Sequence, residues 1–208
     1  RPQGVRYLND HTLVRGPDGV WHVYGITHES QGMPHAERSF LHATALALEG
    51  PWTDQPDILM TAGSESVLWA PYVFEREPGH WTMFYWGGTP DNRIQRADST
   101  DLVRWTRIPM TATGGRDPFA LRVGDRWCLY SVGASASAHG QILVSTSTDL
   151  FVWTTPTVAI EDPVPVFGWG NLQSPVLVPF DSAYYLFLTR TTTAQIDYAR
   201  TLVFRSSS

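Results

Sequence analysis

Residues 70–88, APYVFEREPGHWTMFYWGG, contain an apolar segment, a turn with Pro and Gly, and a second segment dominated by Trp, Phe and Tyr. Aromatic and β-branched residues favour strands, and Gly and Pro favour the turns between them. The stretch therefore predicts a β-hairpin whose second strand is aromatic.

The same pattern occurs three more times along the chain. Aligning the aromatic residue that follows each turn gives spacings of 60, 46 and 57 residues, for Trp21, Trp81, Trp127 and Tyr184. The other three copies are residues 11–28 (HTLVRGPDGVWHVYGITH), 117–133 (DPFALRVGDRWCLYSVG) and 174–190 (SPVLVPFDSAYYLFLTR). A regular internal repeat indicates an architecture built from similar units.

A second repeated element supports this period. STDLVRW at residues 99–105 returns as STDLFVW at 147–153, 48 residues later, and LEGPW ending at Trp52 is a looser third copy. Each unit is thus predicted to contain three strands, a turn and an outer strand that carries a Trp. Helical periodicity is nearly absent, since the longest candidate, residues 39–50, also alternates as a strand would. The sequence predicts an all-β protein.

Four strands in a unit of about 50 residues are typical of a propeller blade. We expect one propeller domain over 1–208, with blades at about 7–57, 65–109, 114–159 and 168–208, the last incomplete. Trp52, Trp105 and Trp153 are expected to pack blade against blade. So few blades imply closure with a partner or the front part of a longer chain. Because the chain begins with Arg, an N-terminal segment is expected to have been removed.

The composition of the chain limits the classes of partner that it is expected to bind. The net charge is −5 and all fifteen basic residues are Arg, with no concentrated basic face, so nucleic acid is not an expected partner. No apolar run reaches eighteen residues, so no membrane-spanning helix is expected, and the location, secreted or cytoplasmic, stays open. Cys128 is the single cysteine and is expected to be a buried apolar residue.

Polar residues stand where each blade's first strand begins. In a propeller these inner strands line a central channel, so their first residues should converge. The entries contain the carboxylates of Asp10 and Asp117 and the amide of Gln173, with Asn9, Trp69 and Arg116 beside them. Paired carboxylates suit glycoside cleavage, in which one acts as nucleophile or base and a second group donates a proton.

The motifs WAP, GGRDPF and STDLVRW, with the order Asp, Arg-Asp-Pro and x-Ser-Pro, resemble the five-bladed propeller glycoside hydrolases of families 32 and 43. The resemblance implies a fructoside, arabinoside or xyloside as substrate. It implies that Asp10 is the nucleophile or general base, that Asp117 stabilises the transition state, and that Arg116 pairs with Asp117 or with substrate. No cofactor is expected. Some family 43 members carry a calcium ion in the channel, and no residue set here marks such a site.

Two residues depart from the pattern. His11 follows Asp10 where the families usually have Pro, and Gln173 stands where they have the general-acid Glu. A carboxamide cannot protonate a leaving oxygen, and losing a general acid costs a factor of about 10² to 10⁴ in rate. Weak or no hydrolysis is therefore expected. Three explanations of Gln173 are open. It could be an introduced change, it could be a natural change in a carbohydrate-binding or repurposed propeller, or another acid could take over the proton transfer. A purely structural interaction propeller is a further alternative.

The nearest substitute acids are Glu65, Glu161 and Asp162, which are more simply interpreted as solvated loop residues. Arg190 could reach the site or end its strand in solvent.

Metal binding by the loop around residues 28–37 is a weak alternative, because its spacing fits no standard ligand set. The loop's candidate ligands are His28, Glu29, His35 and Glu37. Three Trp residues near the strand entries could stack on a sugar ring or pack in the core: Trp69, Trp86 and Trp169. Retention and inversion both stay open.

Overall fold

The computed structural model describes residues 6–28, 36–111, 113–164, 169–191 and 200–207. These residues form fifteen β-strands, and no helix occurs among them. The all-β prediction is confirmed. The chain divides into two compact units, Arg1–Pro109 and Met110–Ser208.

The first unit contains two four-stranded antiparallel sheets, each with its strands in sequence order. Blade 1 consists of β1 (Asn9–Arg15), β2 (Trp21–Ile26), β3 (Phe40–Ala45) and β4 (Thr53–Ile58). Blade 2 consists of β5 (Trp69–Glu77), β6 (His80–Trp86), β7 (Ile94–Ser99) and β8 (Thr106–Arg107).

The second unit contains one four-stranded sheet and one sheet with three described strands. Blade 3 consists of β9 (Arg116–Val123), β10 (Arg126–Ala134), β11 (Gly140–Ser147) and β12 (Thr157–Asp162). Blade 4 consists of β13 (Leu172–Phe180), β14 (Ala183–Arg190) and β15 (Arg200–Ser206). The strand order agrees with the meander of a propeller blade, with the fourth blade lacking an outer strand in the described part.

The hairpins between first and second strands are tight. In blade 4, Phe180 pairs with Ala183, so Asp181 and Ser182 alone form the turn, and both have positive φ, 44° and 59°. Two successive positive φ angles match the right-handed twist of the flanking strands. Short polar residues tolerate this conformation better than β-branched ones.

The STDL repeat forms the same turn in two blades. Ser99 accepts the backbone N–H of Leu102 at 2.9 Å, and Asp101 accepts those of Val103 and Arg104 at 2.9 and 2.7 Å. Leu102 has a φ of 60° and is buried. The side chains thus satisfy backbone donors that no strand partner reaches.

The second copy repeats these contacts. Ser147 accepts the N–H of Leu150 at 2.9 Å, and Asp149 accepts those of Phe151 and Val152 at 2.8 and 2.9 Å. Leu150 has a φ of 66° and is likewise buried. The shared STDL sequence of the two segments therefore forms a turn, and a Trp follows the turn in both copies.

The three repeated Trp residues lie just before the outer strands rather than within them. Trp105 packs edge-on against Tyr24 of blade 1, with ring centroids 5.6 Å apart, so it joins blades 1 and 2 as predicted. Trp52 instead packs on Val23, Leu41 and Ala43 of its own blade. Blade-to-blade packing of Trp52 stays a prediction.

Candidate functional site

All four inner strands have a register irregularity at their first residues. The pairing of β1 shifts between Asn9 and His11, and those of β5, β9 and β13 shift at the corresponding positions. In the last three strands the residue before Pro has a positive φ, 48° at Ala70 and 51° at both Asp117 and Ser174. Pro has no N–H for a strand ladder, so it favours such bulges. The bulges re-aim the side chains that the sequence singles out.

Asp117 is held by two donors. The guanidinium of Arg116 donates to Oδ2 at 2.9 Å, and the backbone N–H of Ser174 donates to the same oxygen at 3.2 Å. The Asp117 side chain is 12% exposed. The structure thus shows the predicted pairing of Arg116 with Asp117, and it brings Asp117 beside the residue that follows Gln173.

Arg116 also contacts Trp169. Its guanidinium carbon lies 4.9 Å from the centre of the Trp169 ring, and Nη2 donates to the Trp169 carbonyl at 3.2 Å. Trp169 remains 41% exposed. A cation over an aromatic face is favourable, so Arg116 holds the indole and the Asp117 carboxylate together.

Gln173 is only 8% exposed and lies opposite Thr189 in the β13–β14 pairing. Its Nε2 is buried and has no hydrogen-bond partner among the described residues. A buried amide donor is normally paired, so an unpaired one at this position is unusual.

Asn9 and Asp10 lie in the first unit, at the exposed start of β1. Their predicted convergence with Asp117 and Gln173 stays a prediction. Trp69 and Trp86 of blade 2 pack together, with ring centroids 5.1 Å apart, and both are half-buried. They form an aromatic pair at the entry of β5.

Glu37 anchors this pair, a role that the sequence did not reveal. The indole N–H of Trp69 donates to Glu37 Oε2 at 3.2 Å, and the Tyr7 hydroxyl donates to Glu37 Oε1. Burial, and then the hydrogen bond to Glu37, raise the pKa of Tyr7, so its hydroxyl remains a donor at neutral pH. Thirty-two positions separate Glu37 from Trp69, so no local pattern could have linked them.

Glu65 is not a solvated loop acid. Its side chain is 5% exposed and accepts hydrogen bonds from Arg107 Nη2 at 2.6 Å and from the Tyr85 hydroxyl at 2.7 Å. The bond to Glu65 raises the pKa of Arg107, so the guanidinium stays charged. This is a structural ion pair between the loop before β5 and strand β8.

Glu161 and Asp162 lie in β12, the outer strand of blade 3. Gln141 and His139 donate to Glu161 and lower its pKa. Burial opposes ionisation of Asp162, but the hydrogen bonds from Arg190 and from the Val164 N–H outweigh it and lower the pKa of Asp162. Both acids are ionised at neutral pH, which argues against either as a proton donor. Arg190 ends its strand in this ion pair, not in solvent.

The proposed metal ligands Glu29 and His35 lie outside the described residues. Within the described ranges, no group of three or more His, Cys, Asp or Glu side chains could hold a metal ion. Cys128 is half-buried in β10, and burial raises its pKa, so the unreactive thiol dominates. The described residues contain no helix that is long and apolar enough to cross a membrane.

Comparison with solved structures identifies the fold class. No protein-family profile matches the sequence, and no curated protein matches it. A thermostable family-43 glycoside hydrolase superposes with a TM-score of 0.75 at 17% identity, over 99% of this chain and 70% of that one. The fold is therefore a β-propeller of the five-bladed glycosidase type, with four blades in this chain.

Two further structures agree. The family-32 β-fructofuranosidase of Bombyx mori has a TM-score of 0.72 and 17% identity, over 89% of this chain and 42% of that one. The Bacillus subtilis arabinanase has a TM-score of 0.68 and 20% identity, over 97% of this chain and 72% of that one. The resemblance to families 32 and 43 is thus confirmed at the level of the fold.

Proposed function

We propose that this protein binds a furanoside or pentose glycan, such as a fructoside, arabinoside or xyloside, as a glycosidase-like propeller with weak or no hydrolysis. The fold class and the paired inner-strand bulges of blades 3 and 4 support this proposal. The hydrogen bond from the Ser174 N–H to Asp117 joins the two strand entries that carry the Asp117 carboxylate and the Gln173 amide.

The observation that carries the proposal is the buried Gln173 amide. Its Nε2 has no partner among the described residues, and a sugar oxygen would accept a hydrogen bond from it. The amide can hold a glycosidic oxygen but has no proton to transfer to it at neutral pH. Binding without efficient cleavage follows from this chemistry.

The remaining roles are proposed residue by residue. Asp117, oriented by Arg116, accepts hydrogen bonds from sugar hydroxyls and stabilises positive charge that develops on the ring. Asp10 acts as nucleophile or general base. The exposed part of Trp169 and the Trp69–Trp86 pair supply aromatic faces for stacking on a sugar.

The test is Gln173→Glu, with Gln173→Asn as the matched control of similar polarity. A carboxyl at this buried position should have a raised pKa, as a general acid requires. We expect turnover of a nitrophenyl arabinofuranoside or xyloside, or of sucrose, to rise by about 10² to 10⁴ in the Glu variant and not in the Asn variant. If no such substrate gains turnover, the hydrolase interpretation fails.

The second candidate is a non-catalytic carbohydrate-binding or repurposed propeller, which Gln173 itself favours. Here the Gln form binds arabino-, xylo- or fructo-oligosaccharides in calorimetry, and Asp117→Ala lowers the affinity while Gln173→Glu brings no turnover. Absence of binding to every oligosaccharide by the unmodified chain would contradict both candidates.

A further inference from the structure

A crevice of about 350 Å³ lies in the first unit at the far end of β1 from Asn9. The turn after β1 forms one wall with Gly16 and Asp18, and His22, His42 and Gln55 of blade 1 form another. The seven residues of β1 span about 20 Å at a rise of about 3.3 Å each. The crevice is therefore separate from the Asp10 end of the same strand.

Blade 1 presents hydrogen-bonding side chains to this crevice instead of an apolar face. His22 pairs with Thr44, and His42 with Gln55, in the strand register. His22 Nδ1 lies 3.0 Å from His42 Nε2, with the two rings stacked 5.2 Å apart, and Gln55 donates to Thr44 at 3.0 Å. Four polar side chains of blade 1, two His, one Thr and one Gln, thus line the crevice together.

Two polar atoms of lining residues are unsatisfied. His42 Nδ1 and Trp81 Nε1 are buried and have no hydrogen-bond partner among the described residues, and each side chain belongs to a residue that is 2% exposed. Buried polar groups of this kind usually meet an ordered water or a ligand after a small side-chain adjustment.

The charged and titratable side chains around the crevice indicate that its ligand is neutral. Asp18 and Asp101 line it and would repel an anion. No metal-binding group of three side chains occurs in the described part, and burial lowers the pKa of both His22 and His42, so the rings are neutral. The Trp81 indole needs an acceptor, while His42 can accept or donate. A hydroxyl group both donates and accepts, so hydroxyl compounds suit the hydrogen-bonding needs of these two side chains.

We propose that this crevice is a second ligand site, which binds one neutral sugar or polyol independently of the inner-strand entries. Its volume lies at the small end of ligand pockets and accommodates a single ring. Thr44, Gln55 and the His22–His42 pair supply the hydrogen bonds to the hydroxyls.

The experiment follows the indole N–H signals of the full chain by NMR during titration with D-xylose, D-fructose and glycerol. Trp81→Phe assigns the Trp81 signal. We expect a saturable shift of that signal with at least one compound. Thr44→Val combined with Gln55→Leu should lower the affinity about tenfold or more, because it removes both partners of one hydrogen bond at little cost to the fold. Asp117→Ala should leave the shift unchanged.

Three outcomes overturn the proposal: no saturable Trp81 shift, a shift that the double variant leaves intact, or a shift that Asp117→Ala abolishes. Shifts confined to the Trp69 and Trp86 signals would support the proposed function and refute this second site. If the double variant loses its dispersed spectrum, the single variant Gln55→Ala takes its place with the same expected loss of affinity.

Discussion

The backbone N–H of Ser174 donates a hydrogen bond to Oδ2 of Asp117 across 3.2 Å and 57 positions of sequence. The donor is a main-chain group, so the contact does not depend on the side chain at position 173 or 174. A substitution of Gln173 therefore changes the chemistry at that position and leaves the contact between blades 3 and 4 in place.

Arg116→Ala should destabilise the protein by about 1–3 kcal/mol, because it removes a charged donor from a carboxylate that is 12% exposed and uncovers the Trp169 ring. The free energy of unfolding in urea measures this. Arg122→Ala is the matched control, since Arg122 lies on the same strand 6.0 Å from the Trp127 ring but is exposed. An equal loss in both variants would contradict the anchoring role of Arg116.

Stability should fall between about pH 6.5 and pH 4 through His42. Burial, and then the neighbouring His22, lower the pKa of His42 to about 4, below its unfolded value of 6.5. The unfolded chain therefore takes up a proton in this range that the folded chain does not. The loss for His42 is about 3 kcal/mol at most, at about 1.4 kcal/mol for each pKa unit. Above about pH 6.5 His42 is neutral in both the folded and the unfolded chain, so its titration no longer lowers the free energy of unfolding.

Urea unfolding at a series of pH values tests this slope. His42→Gln should flatten the pH dependence between pH 6.5 and 4, whereas His80→Gln, at an exposed position, should leave it as in the unmodified protein. A slope that persists unchanged in His42→Gln would exclude this residue as its source.

Glu65→Ala should cost about 2–4 kcal/mol, because it leaves the Arg107 guanidinium and the Tyr85 hydroxyl without their shared acceptor. Glu77→Ala is the control, since the Glu77 side chain is 60% exposed and its 3.5 Å ion pair with Arg76 should contribute less than about 1 kcal/mol. In calorimetry, similar melting temperatures for the two variants would refute the structural importance of Glu65.

The two STDL turns should respond alike to loss of their Ser hydroxyls. Ser99→Ala and Ser147→Ala each remove an acceptor for a backbone N–H and should each cost about 1 kcal/mol. Ser137→Ala, in an exposed hairpin, should change the stability by less than about 0.5 kcal/mol. A neutral effect of both turn substitutions, measured by thermal unfolding, would show that the repeat serves the Trp alone.

The blade order could be predicted from the sequence because each blade is built from local contacts. The hairpins, the STDL turns and the Pro-containing bulges all depend on residues close together in the chain, such as Asp117 with Pro118. The fold class can therefore be predicted from the residues that form the turns and from the strand preference of the aromatic residues.

The partners of the candidate residues could not be predicted in the same way. Glu37 with Trp69, Glu65 with Arg107 and Asp162 with Arg190 are joined across 32, 42 and 28 positions. Which loop acid is buried in an ion pair, and which stays in water, depends on how strands pack. The sequence alone suggested solvated acids at Glu65 and Asp162, and the structure corrects this for both.

By itself, the sequence determined a four-blade β-propeller, the placement of Asp117 and Gln173 at strand entries, and an amide where a proton donor would be needed. Only the tertiary structure decided that Arg116 and the Ser174 N–H hold Asp117, and that the Gln173 amide is buried with an unused donor. The difference has one physical reason. Strand and turn preferences are local properties of the chain, whereas burial and hydrogen-bond satisfaction arise when distant segments pack together.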